Sequence, residues 1–472
     1  MKNAEPSRGA YHRYHIRTQT AEEVEKWPSR FNVRVGKFGL AKHLLKEMFR
    51  NGWKYREVTL SRPCLYGVYS GPIGGFAPRP QHCVGCLRCT TENPDFIVIS
   101  PNPRREALGD SYFNFEQINA IAYEAETGMV PVRGAGYRGK FGGEGWDGMW
   151  TDMSEIVRPT RDGIHGREFI STVVDIGFRP NFLEFSKNGK SNGRKPKVIS
   201  IPLPFMFDVP PKSLSNLAFC QTTAAAASKT GSLAFMPLEL ILDHALSGEH
   251  IVPVVGHGQE SWLEMLDFRP RMIEMDGWRE EVFHAVKDAF PDAIISLRLP
   301  FTTAEALKLY VERGIHTFHL LADYHGRGSD GRFVLDLIRE VHTGFVELGI
   351  RQEVTLLGSG GMIAAAHIPK AILCGLDAVV LDTPVVAAMQ GKFEGECADR
   401  ESSRFSLPKK FTTGWGVQRL MNFAASWRDQ MLEISGAMGL REVRRMRGEM
   451  GRAMFMKELE AAAFEGVVGY GD

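Results

Sequence analysis

The sequence lacks several features that would place it in a specialised class of protein. It contains no run of eighteen apolar residues, so no membrane span is predicted. Its opening stretch, MKNAEPSRGAYHRYH, has no apolar core, which argues against a secretory signal. Positive and negative charges nearly cancel, with 57 Lys and Arg against 56 Asp and Glu, so the charge balance favours neither nucleic acid nor an anionic membrane surface. With 43% hydrophobic and 24% charged residues, a globular protein is expected. Its compartment is predicted to be the cytoplasm.

Cysteine is scarce, and its spacing is uneven. Three of the seven cysteines, Cys83, Cys86 and Cys89, lie within seven residues. This crowding is more typical of a metal site than of a disulfide framework. The run C-x2-C-x2-C continues to Asn93 and Pro94, so it matches the ferredoxin run C-x2-C-x2-C-x3-C-P with Asn in place of the fourth cysteine.

That fourth cysteine serves the other cluster in two-cluster ferredoxins, so its loss fits a site with a single cluster. The missing ligand would then come from elsewhere, and Cys64, nineteen residues before Cys83, is the obvious candidate. We therefore predict an iron–sulfur cluster, most simply [4Fe–4S], bound by Cys64, Cys83, Cys86 and Cys89. Zinc bound by the same four residues, or a cluster with three cysteine ligands, would use the same pattern.

The second half of the chain alternates short apolar runs with helical stretches. The predicted strands are 198–201, 232–235, 251–255, 271–275, 293–299, 316–321, 354–357 and 378–381. Eight strand–helix pairs in about 245 residues are typical of a (β/α)8 barrel. A doubly wound sheet uses the same alternation, but the count of eight favours an α/β fold of the barrel type.

Active sites of such barrels lie at the C-terminal ends of the strands. The residues that follow the predicted strands are therefore candidates for cofactor binding: Pro202, Gly256, Gly358, Ser359, Gly360, Gly361, Asp382 and Thr383. The glycine-rich turn after the seventh strand is suited to hold a phosphate on free backbone N–H groups. A phosphate site in a chain with an iron–sulfur motif suggests FMN, because a flavin couples one-electron and two-electron chemistry.

Three further residues are candidates for catalysis. Arg298, on the fifth strand, is expected to place a fixed cation near the flavin, where it would stabilise the anionic reduced ring. His325 and Arg327 follow the sixth strand, where His would move a proton and Arg would bind a carboxylate.

The segment Met149–Gly177 closely resembles the lead-in to the FMN domain of glutamate synthases, above all in its core Ile156–Glu168, IVRPTRDGIHGRE. The Gly-rich stretch 134–150 and the helical stretch 429–447 resemble the same family, in particular its archaeal-type members. The resemblance covers roughly residues 110–450. It implies an N-terminal region with a ferredoxin-like motif (1–110), a glutamate synthase-type lead-in (111–196), an FMN-binding barrel (197–413) and a C-terminal helical appendix (414–472).

The resemblance also implies a function. Electrons from a redox partner, a ferredoxin or a reductase subunit, would pass through the cluster and FMN to a 2-oxo or 2-imino acid.

The chain differs from the family pattern at three places. It has Arg298 where Lys is usual, ADYHGRG (322–328) after strand six, and only Cys397 where a three-cysteine loop is expected. No glutamine amidotransferase domain is expected to precede this chain. The oligomeric state is left open.

Two other functions fit part of the sequence. Flavin-dependent 2-hydroxy acid oxidoreductases carry a His-Gly-x-Arg loop after strand six, and His325-Gly326-Arg327 is similar but one residue shorter. A non-catalytic electron-transfer subunit would also keep the cysteines and the barrel. Chemistry like that of IMP dehydrogenase is excluded, because it needs a nucleophilic cysteine after strand six and residues 315–335 contain none.

Overall fold

The computed structural model describes residues 15–54, 64–131, 143–151, 170–182, 184–191 and 193–469. Two compact units divide the chain. One comprises Glu25–Phe115, and the other comprises Met1–Val24 and Glu116–Asp472, each within the described ranges. The family-like core at 156–168 and the Gly-rich run from 134 to 142 lie outside the described residues. Among the described residues, no helix is long and apolar enough to cross a membrane.

The smaller unit is built on a two-stranded antiparallel sheet. Strand β1 (Phe31–Val35) pairs with β2 (Ile97–Pro101) in a register that joins Val33 to Ile99. Among its described residues, three α-helices accompany the sheet: α1 (Lys37–Asn51), α2 (Arg88–Glu92) and α3 (Pro103–Glu106). Val33, Val68 and Cys83 form one buried apolar cluster of this unit, so a cysteine of the predicted cluster is also a core residue.

The larger unit contains a closed barrel of eight parallel strands. In chain order these strands are β6 (Phe205–Phe207), β7 (Ala234–Pro237), β8 (Ile251–Val255), β9 (Met272–Asp276), β10 (Ile294–Pro300), β11 (Thr317–Leu321), β12 (Thr355–Ser359) and β13 (Ala378–Leu381). Their side chains are almost entirely buried, as expected of strands covered on both faces. The predicted (β/α)8 barrel is confirmed, and closure of the sheet excludes the doubly wound alternative.

Helices follow the barrel strands in the expected alternation. Along the chain they are α5 (Leu217–Thr230), α6 (Leu238–Asp243), α7 (Glu280–Ala289), α8 (Ala304–Glu312), α9 (Val334–Glu347), α10 (His367–Cys374) and α11 (Thr383–Ala388). Side-chain oxygens cap several of them, since Asn216 accepts from the Phe219 N–H and Thr303 from the Ala306 N–H. These caps fix where each helix begins and therefore how the preceding loop leaves its strand.

The first barrel strand is not the predicted one. The predicted run 198–201 is part of β5 (Lys197–Ile201), which pairs antiparallel with β4 (Val174–Phe178) in a separate hairpin. The Gly177 N–H of this hairpin donates to Oγ1 of Thr355, the first residue of β12, so the hairpin lies at the N-terminal end of the barrel. Pro202 precedes β6 and therefore lies at that end as well. Its predicted place at the C-terminal mouth is wrong.

The remaining elements connect distant parts of the larger unit. Helices α4 (Phe115–Thr127), α12 (Thr413–Ala437) and α13 (Met456–Phe464) flank the barrel sequence, and α12 confirms the predicted helix in the C-terminal segment. Two small sheets are antiparallel: β3 (Met149–Thr151) with β16 (Ala453–Phe455), and β14 (Lys392–Phe393) with β15 (Phe405–Ser406). Arg419 of α12 is fully buried and donates to the carbonyls of Ala21, Ala122 and Ala388, so one side chain joins three segments.

Candidate active site at the barrel mouth

Charged side chains fill the interior of the barrel near the C-terminal ends of its strands. Arg298 of β10 donates to Asp208, which follows β6, at 2.9 Å, and to Glu274 of β9 at 3.2 Å. Arg298 is 7% exposed, and both carboxylates are almost fully buried. Since β6 is not a neighbour of β10 in the barrel, the contact with Asp208 crosses the barrel interior. Arg298 thus lies where the sequence placed it, but it is paired with two carboxylates.

A histidine that the sequence analysis missed continues this network. His319 of β11 has its Nδ1 2.9 Å from a Glu274 oxygen and its Nε2 3.2 Å from the Ser359 hydroxyl. Ser296 also donates to Glu274. The network therefore joins strands β9, β10, β11 and β12 through side chains that point into the barrel.

Arg400 completes the network on its solvent side. This residue lies in the loop after α11, and its guanidinium donates to Asp208, Asp382 and Ser359 at 3.0, 2.6 and 3.0 Å. The same group donates to the Ala322 carbonyl at 2.7 Å and lies 4.7 Å from the centre of the Tyr324 ring. Its side chain is 17% exposed, more than that of Arg298, so Arg400 is the cation nearer the solvent.

The arginines control the ionisation of the buried carboxylates. Burial by itself would raise the pKa of Asp208, but the charges of Arg298 and Arg400 outweigh it and hold this pKa well below its usual range. Burial raises the pKa of Asp382, because Arg400 offsets it only in part. Burial also raises the pKa of Tyr324 above its ordinary value, so its phenol keeps its proton at neutral pH. The mouth thus offers fixed cations, fixed anions and a protonated phenol.

The glycine turn after β12 is buried rather than open. Gly360 and Gly361 have φ values of 101° and 71°, which only glycine adopts readily. A Cβ on Gly360 would lie 2.4 Å from the Asp323 carbonyl oxygen, so the loop after β11 packs directly on this turn. The Gly361 N–H donates to the Tyr324 carbonyl, and Trp146 donates to the Gly361 carbonyl at 2.9 Å.

The other residues predicted to bind the cofactor lie in different surroundings. Gly358 faces away from the mouth, where Leu376 would meet any side chain at 2.6 Å. The Gly256 N–H donates to Gln259 of its own loop. Thr383 adjoins Asp382, whose carboxylate caps α11 by accepting from the Thr383 N–H. Of the predicted set, the structure therefore joins Ser359, Asp382 and Thr383 with Arg298.

The predicted catalytic pair after β11 is not part of the network. His325 Nδ1 lies 3.6 Å from the Glu396 carboxylate. Arg327 has a half-exposed side chain whose guanidinium lies 3.6 Å from Glu144. The inward residue of this loop is Tyr324, which is 4% exposed. The structure therefore does not bring Arg327 together with Arg298, because position in a loop does not fix side-chain direction.

The four cysteines of the smaller unit lie close to one another. Cys64, Cys86 and Cys89 all raise the pKa of Cys83, although burial is the larger cause. Burial, Cys89, Cys64 and Cys83 together raise the pKa of Tyr69 above its usual range, so this phenol lies among the same thiols.

The backbone of the cysteine loop has two left-handed residues. Gly85 has a φ of 71° and Leu87 a φ of 60°, and Leu87 directly precedes α2. Such alternation turns successive backbone N–H groups toward a common centre, as in the anion nests of many iron–sulfur sites. A Cβ on Gly85 would lie 2.4 Å from the Phe31 ring, so glycine is also required by packing.

Comparison with known proteins agrees with the resemblance seen in the sequence. No protein-family model matches the chain. It is 23% identical to the archaeal-type glutamate synthase (NADPH) of Dehalococcoides mccartyi over 434 residues, which cover 78% of this chain and 86% of that protein. It is 22% identical to the archaeal glutamate synthase (NADPH) of Archaeoglobus fulgidus over 463 residues, 82% of this chain and 89% of that one. The chain is thus similar over most of its length to proteins named archaeal-type glutamate synthases.

A shorter alignment has a higher sequence identity, and the solved structures that resemble the chain have lower ones. The archaeal glutamate synthase (NADPH) of Methanocaldococcus jannaschii is 30% identical over 124 residues, 24% of each chain. The flavin-binding domain of baker's yeast flavocytochrome b2 gives a TM-score of 0.38 at 12% identity, over 68% of this chain and 84% of that one. A mandelate oxidase variant with 2-hydroxy-phenylacetamide gives 0.35 at 14% identity, over 63% and 97%.

Proposed function

We propose that the protein is an FMN- and iron–sulfur-dependent oxidoreductase of the glutamate synthase type, which reduces a 2-oxo or 2-imino acid with electrons from a partner protein. The observation that carries this proposal is the buried network of Arg298, Asp208, Glu274, His319 and Arg400 at the barrel mouth. Its support comes from the relatives, which carry the name glutamate synthase and match more than three quarters of the chain.

The residues at the mouth fit a flavin phosphate. Arg400 supplies a partly exposed guanidinium beside the Ser359 hydroxyl, and Gly360 continues from Ser359 in a tight turn. A cation, a hydroxyl and a glycine turn are the donors that a phosphate monoester needs. We infer that Ser359 and Gly360 bind the phosphate and that Arg298 lies toward the ring. Bound FMN would supply the two electrons for reduction of a C=N bond.

The chain's own residues would bind and orient the substrate. Tyr324 lies 4.7 Å from the Arg400 guanidinium and keeps its proton, so it can donate a hydrogen bond to a substrate oxygen or nitrogen. Burial of the network excludes water, which strengthens this contact.

The donor set of the smaller unit fits an iron–sulfur cluster better than zinc. Among the described residues, no three of the thiols lie within 4.8 Å of one another. Tetrahedral zinc, with Zn–S distances of about 2.3 Å, would bring the sulfurs to about 3.8 Å. A cubane cluster separates its ligands more widely, because each thiolate binds a different iron. The Gly85 N–H also donates to Cys83, a contact that lowers the pKa of this thiol and would favour its ligating form.

The distribution of charge favours an acidic electron carrier as the partner. Residues 25–115 contain fourteen Lys and Arg against seven Asp and Glu, although the whole chain is nearly neutral. Exposed apolar side chains flank the ligands, with Leu65 87%, Leu87 47% and Val84 40% exposed. A basic surface with an apolar centre attracts and then binds an acidic protein such as a ferredoxin.

An anaerobic reoxidation experiment tests the proposal. The protein is purified without oxygen, its flavin and iron are measured, and it is reduced with dithionite. 2-Oxoglutarate with ammonium should reoxidise the flavin and yield an amino acid, and ammonium alone should not. NADPH and a reduced ferredoxin are then compared as electron donors, because the names of the relatives specify NADPH.

Other outcomes would redirect or overturn the proposal. Purified protein with neither flavin nor a capacity to bind added FMN would overturn it. If lactate or mandelate reduced the oxidised flavin, the protein would be a 2-hydroxy acid oxidoreductase instead. If the flavin and the cluster were present but no 2-oxo acid reoxidised them, the electron-transfer subunit would be the correct description.

A further inference from the structure

A second charged cavity lies at the other end of the barrel. It is lined by residues of the β4–β5 hairpin, of the turn before β12, of α10 and of the C-terminal segment after α12. The charged residues of its lining are Asp175, Arg179, Asp377, Arg444 and Arg447. Thr355 lines this cavity, and Ser359, four residues further along the same strand, belongs to the mouth. At about 3.3 Å per residue the two sites lie about 13 Å apart along β12.

Arginines outnumber carboxylates in this cavity. Asp377 is shared by Arg351, at 2.9 Å, and Arg447, at 2.7 Å. Asp175 is likewise shared by Arg179 and Arg444. Three of these guanidinium groups, those of Arg179, Arg444 and Arg447, line the cavity. Together with Arg351 they surround two carboxylates, which leaves an excess of two positive charges in and beside the cavity.

The neighbouring charges do not cancel this excess. Glu442 lies 3.6 Å from Arg444, but it is also shared with Arg445, at 3.9 Å. With Glu442 and Arg445 added, the count is five arginines against three carboxylates, so the excess of two positive charges is unchanged. The positive charge of Arg351 also acts on a buried histidine, His342. Arg351 Nε donates to His342 Nδ1 at 3.0 Å, so this nitrogen is an acceptor and the imidazole is neutral.

The geometry of these groups suits a small ligand. The side chains of Arg351 and Arg447 are 4% and 21% exposed, whereas those of Arg444 and Arg179 are 38% and 45% exposed. Arg447 is thus the least exposed arginine of the lining, and Arg444 and Arg179 form its rim. Arg351 pairs with Asp377 from outside the lining. Gln352 also lines it, and its side-chain oxygen accepts from Arg447. An uncompensated pair of charges in a half-buried cavity is costly unless an anion or water compensates it.

We propose that this cavity is a binding site for a small dianion, either inorganic phosphate or a dicarboxylate. Two negative charges match the excess of two positive charges. The planar guanidinium groups of the lining match the paired oxygens of a phosphate or carboxylate. The site is separate from the mouth, and the proposal does not depend on the proposed function.

Binding to the full-length protein tests this site. Phosphate and succinate are titrated by calorimetry, and thermal unfolding is followed with each anion at constant ionic strength, with chloride as the reference. At least one of the two dianions should bind saturably and raise Tm, because a ligand that binds only the folded state stabilises it. The tighter of the two identifies the class of ligand. Neither dianion is a substrate of the proposed reaction, so failure here would leave that reaction untouched.

Three variants identify the site. Arg444→Gln should weaken binding about tenfold or more. Arg445→Gln should weaken it far less, because Arg445 lies outside the cavity lining and its side chain is 73% exposed. Asp175→Asn removes a competing negative charge and should tighten binding, an effect that partial unfolding cannot mimic. Absence of saturable binding, equal effects of chloride and the dianions, or equal affinities of the Arg444 and Arg445 variants would overturn the proposal.

Discussion

Asp377 and Asp382 lie directly before and directly after the same barrel strand, β13, and each binds arginine at its own end of the barrel. The two carboxylates have opposite environments. Burial would raise the pKa of Asp377, but Arg351 and Arg447 outweigh it and lower this pKa. Burial raises the pKa of Asp382, because the single cation Arg400 does not offset it. Cations are thus in excess at the N-terminal end, whereas carboxylates outnumber arginines at the mouth.

Arg298→Met should destabilise the fold. The substitution leaves Asp208 and Glu274 buried without this cation, so we expect the free energy of unfolding to fall by about 3 kcal/mol in urea denaturation. Arg298→Lys should lose less, because it keeps the charge. Arg327→Gln is the matched control, since that side chain is half exposed, and should change stability by less than about 0.5 kcal/mol. Equal losses for Arg298→Met and Arg327→Gln would show that the buried network does not stabilise the barrel.

Gly360→Ala should disrupt the turn after β12. The new Cβ would lie 2.4 Å from a backbone oxygen at a φ of 101°, so the two loops must move apart. Gly258→Ala is the control, because its φ is also positive, at 76°, but its Cβ would meet nothing within 4 Å. We expect Gly258→Ala to cost about 1 kcal/mol of strain and Gly360→Ala at least twice that, with loss of bound FMN. Comparable unfolding midpoints and flavin contents would contradict this.

Cys83→Ser should remove the iron. This residue is both a core residue of the smaller unit and one of the four close thiols, so its loss removes a ligand and weakens the local packing. Iron and acid-labile sulfide per chain are measured after anaerobic purification. Cys220→Ser is the control, because Cys220 is buried in α5, within the other unit. Zinc in stoichiometric amount with no sulfide would replace the cluster assignment by a zinc site.

Acidification should destabilise the protein through His342. Burial and the charges of Arg351 and Arg447 lower the pKa of His342 to about 4, against an ordinary value of about 6.5. The unfolded chain therefore takes up a proton first as the pH falls from 6.5 to 4, and stability falls with it, by about 3 kcal/mol in total.

The free energy of unfolding is measured at pH 7, 6, 5 and 4.5 for the wild type and for His342→Gln, whose amide oxygen can still accept from Arg351. The Gln variant should lose less stability on acidification. His284→Gln alters an exposed histidine, 62% exposed in its side chain, and should follow the wild type. Identical pH profiles for all three proteins would exclude this role of His342.

Reduction by an acidic ferredoxin should depend on charge near the cysteine loop. Arg88 adjoins Cys89 in the chain, and its side chain is 64% exposed and paired with Glu92. Arg88→Glu should slow cluster reduction about tenfold at low ionic strength, and the difference should shrink as salt is added, because salt screens exposed charges. Lys46→Glu on α1 changes the unit's charge equally and should have a smaller effect. If dithionite reduces the cluster but ferredoxin does not at any ionic strength, only the partner assignment fails.

Several features followed from local sequence. The alternation of apolar runs and helices predicted seven of the eight barrel strands, because a strand buried on both faces needs a continuous apolar run. The first strand was misplaced, because the run 198–201 is locally indistinguishable from a barrel strand. Its partner β4 begins 23 residues before β5 and pairs with it antiparallel, and only that pairing removes the run from the barrel.

The sequence by itself determined the strand alternation, the four spaced cysteines and the relationship to glutamate synthases, since each is a pattern of neighbouring residues. Only the tertiary structure decided the site. Asp208, Arg298 and Arg400 are separated by 90 residues or more along the chain. Both guanidinium groups nevertheless donate to the Asp208 carboxylate, at 2.9 and 3.0 Å. No local pattern marks such a contact. Closure of the barrel brings the strand ends together, and burial then requires every charge to find a partner.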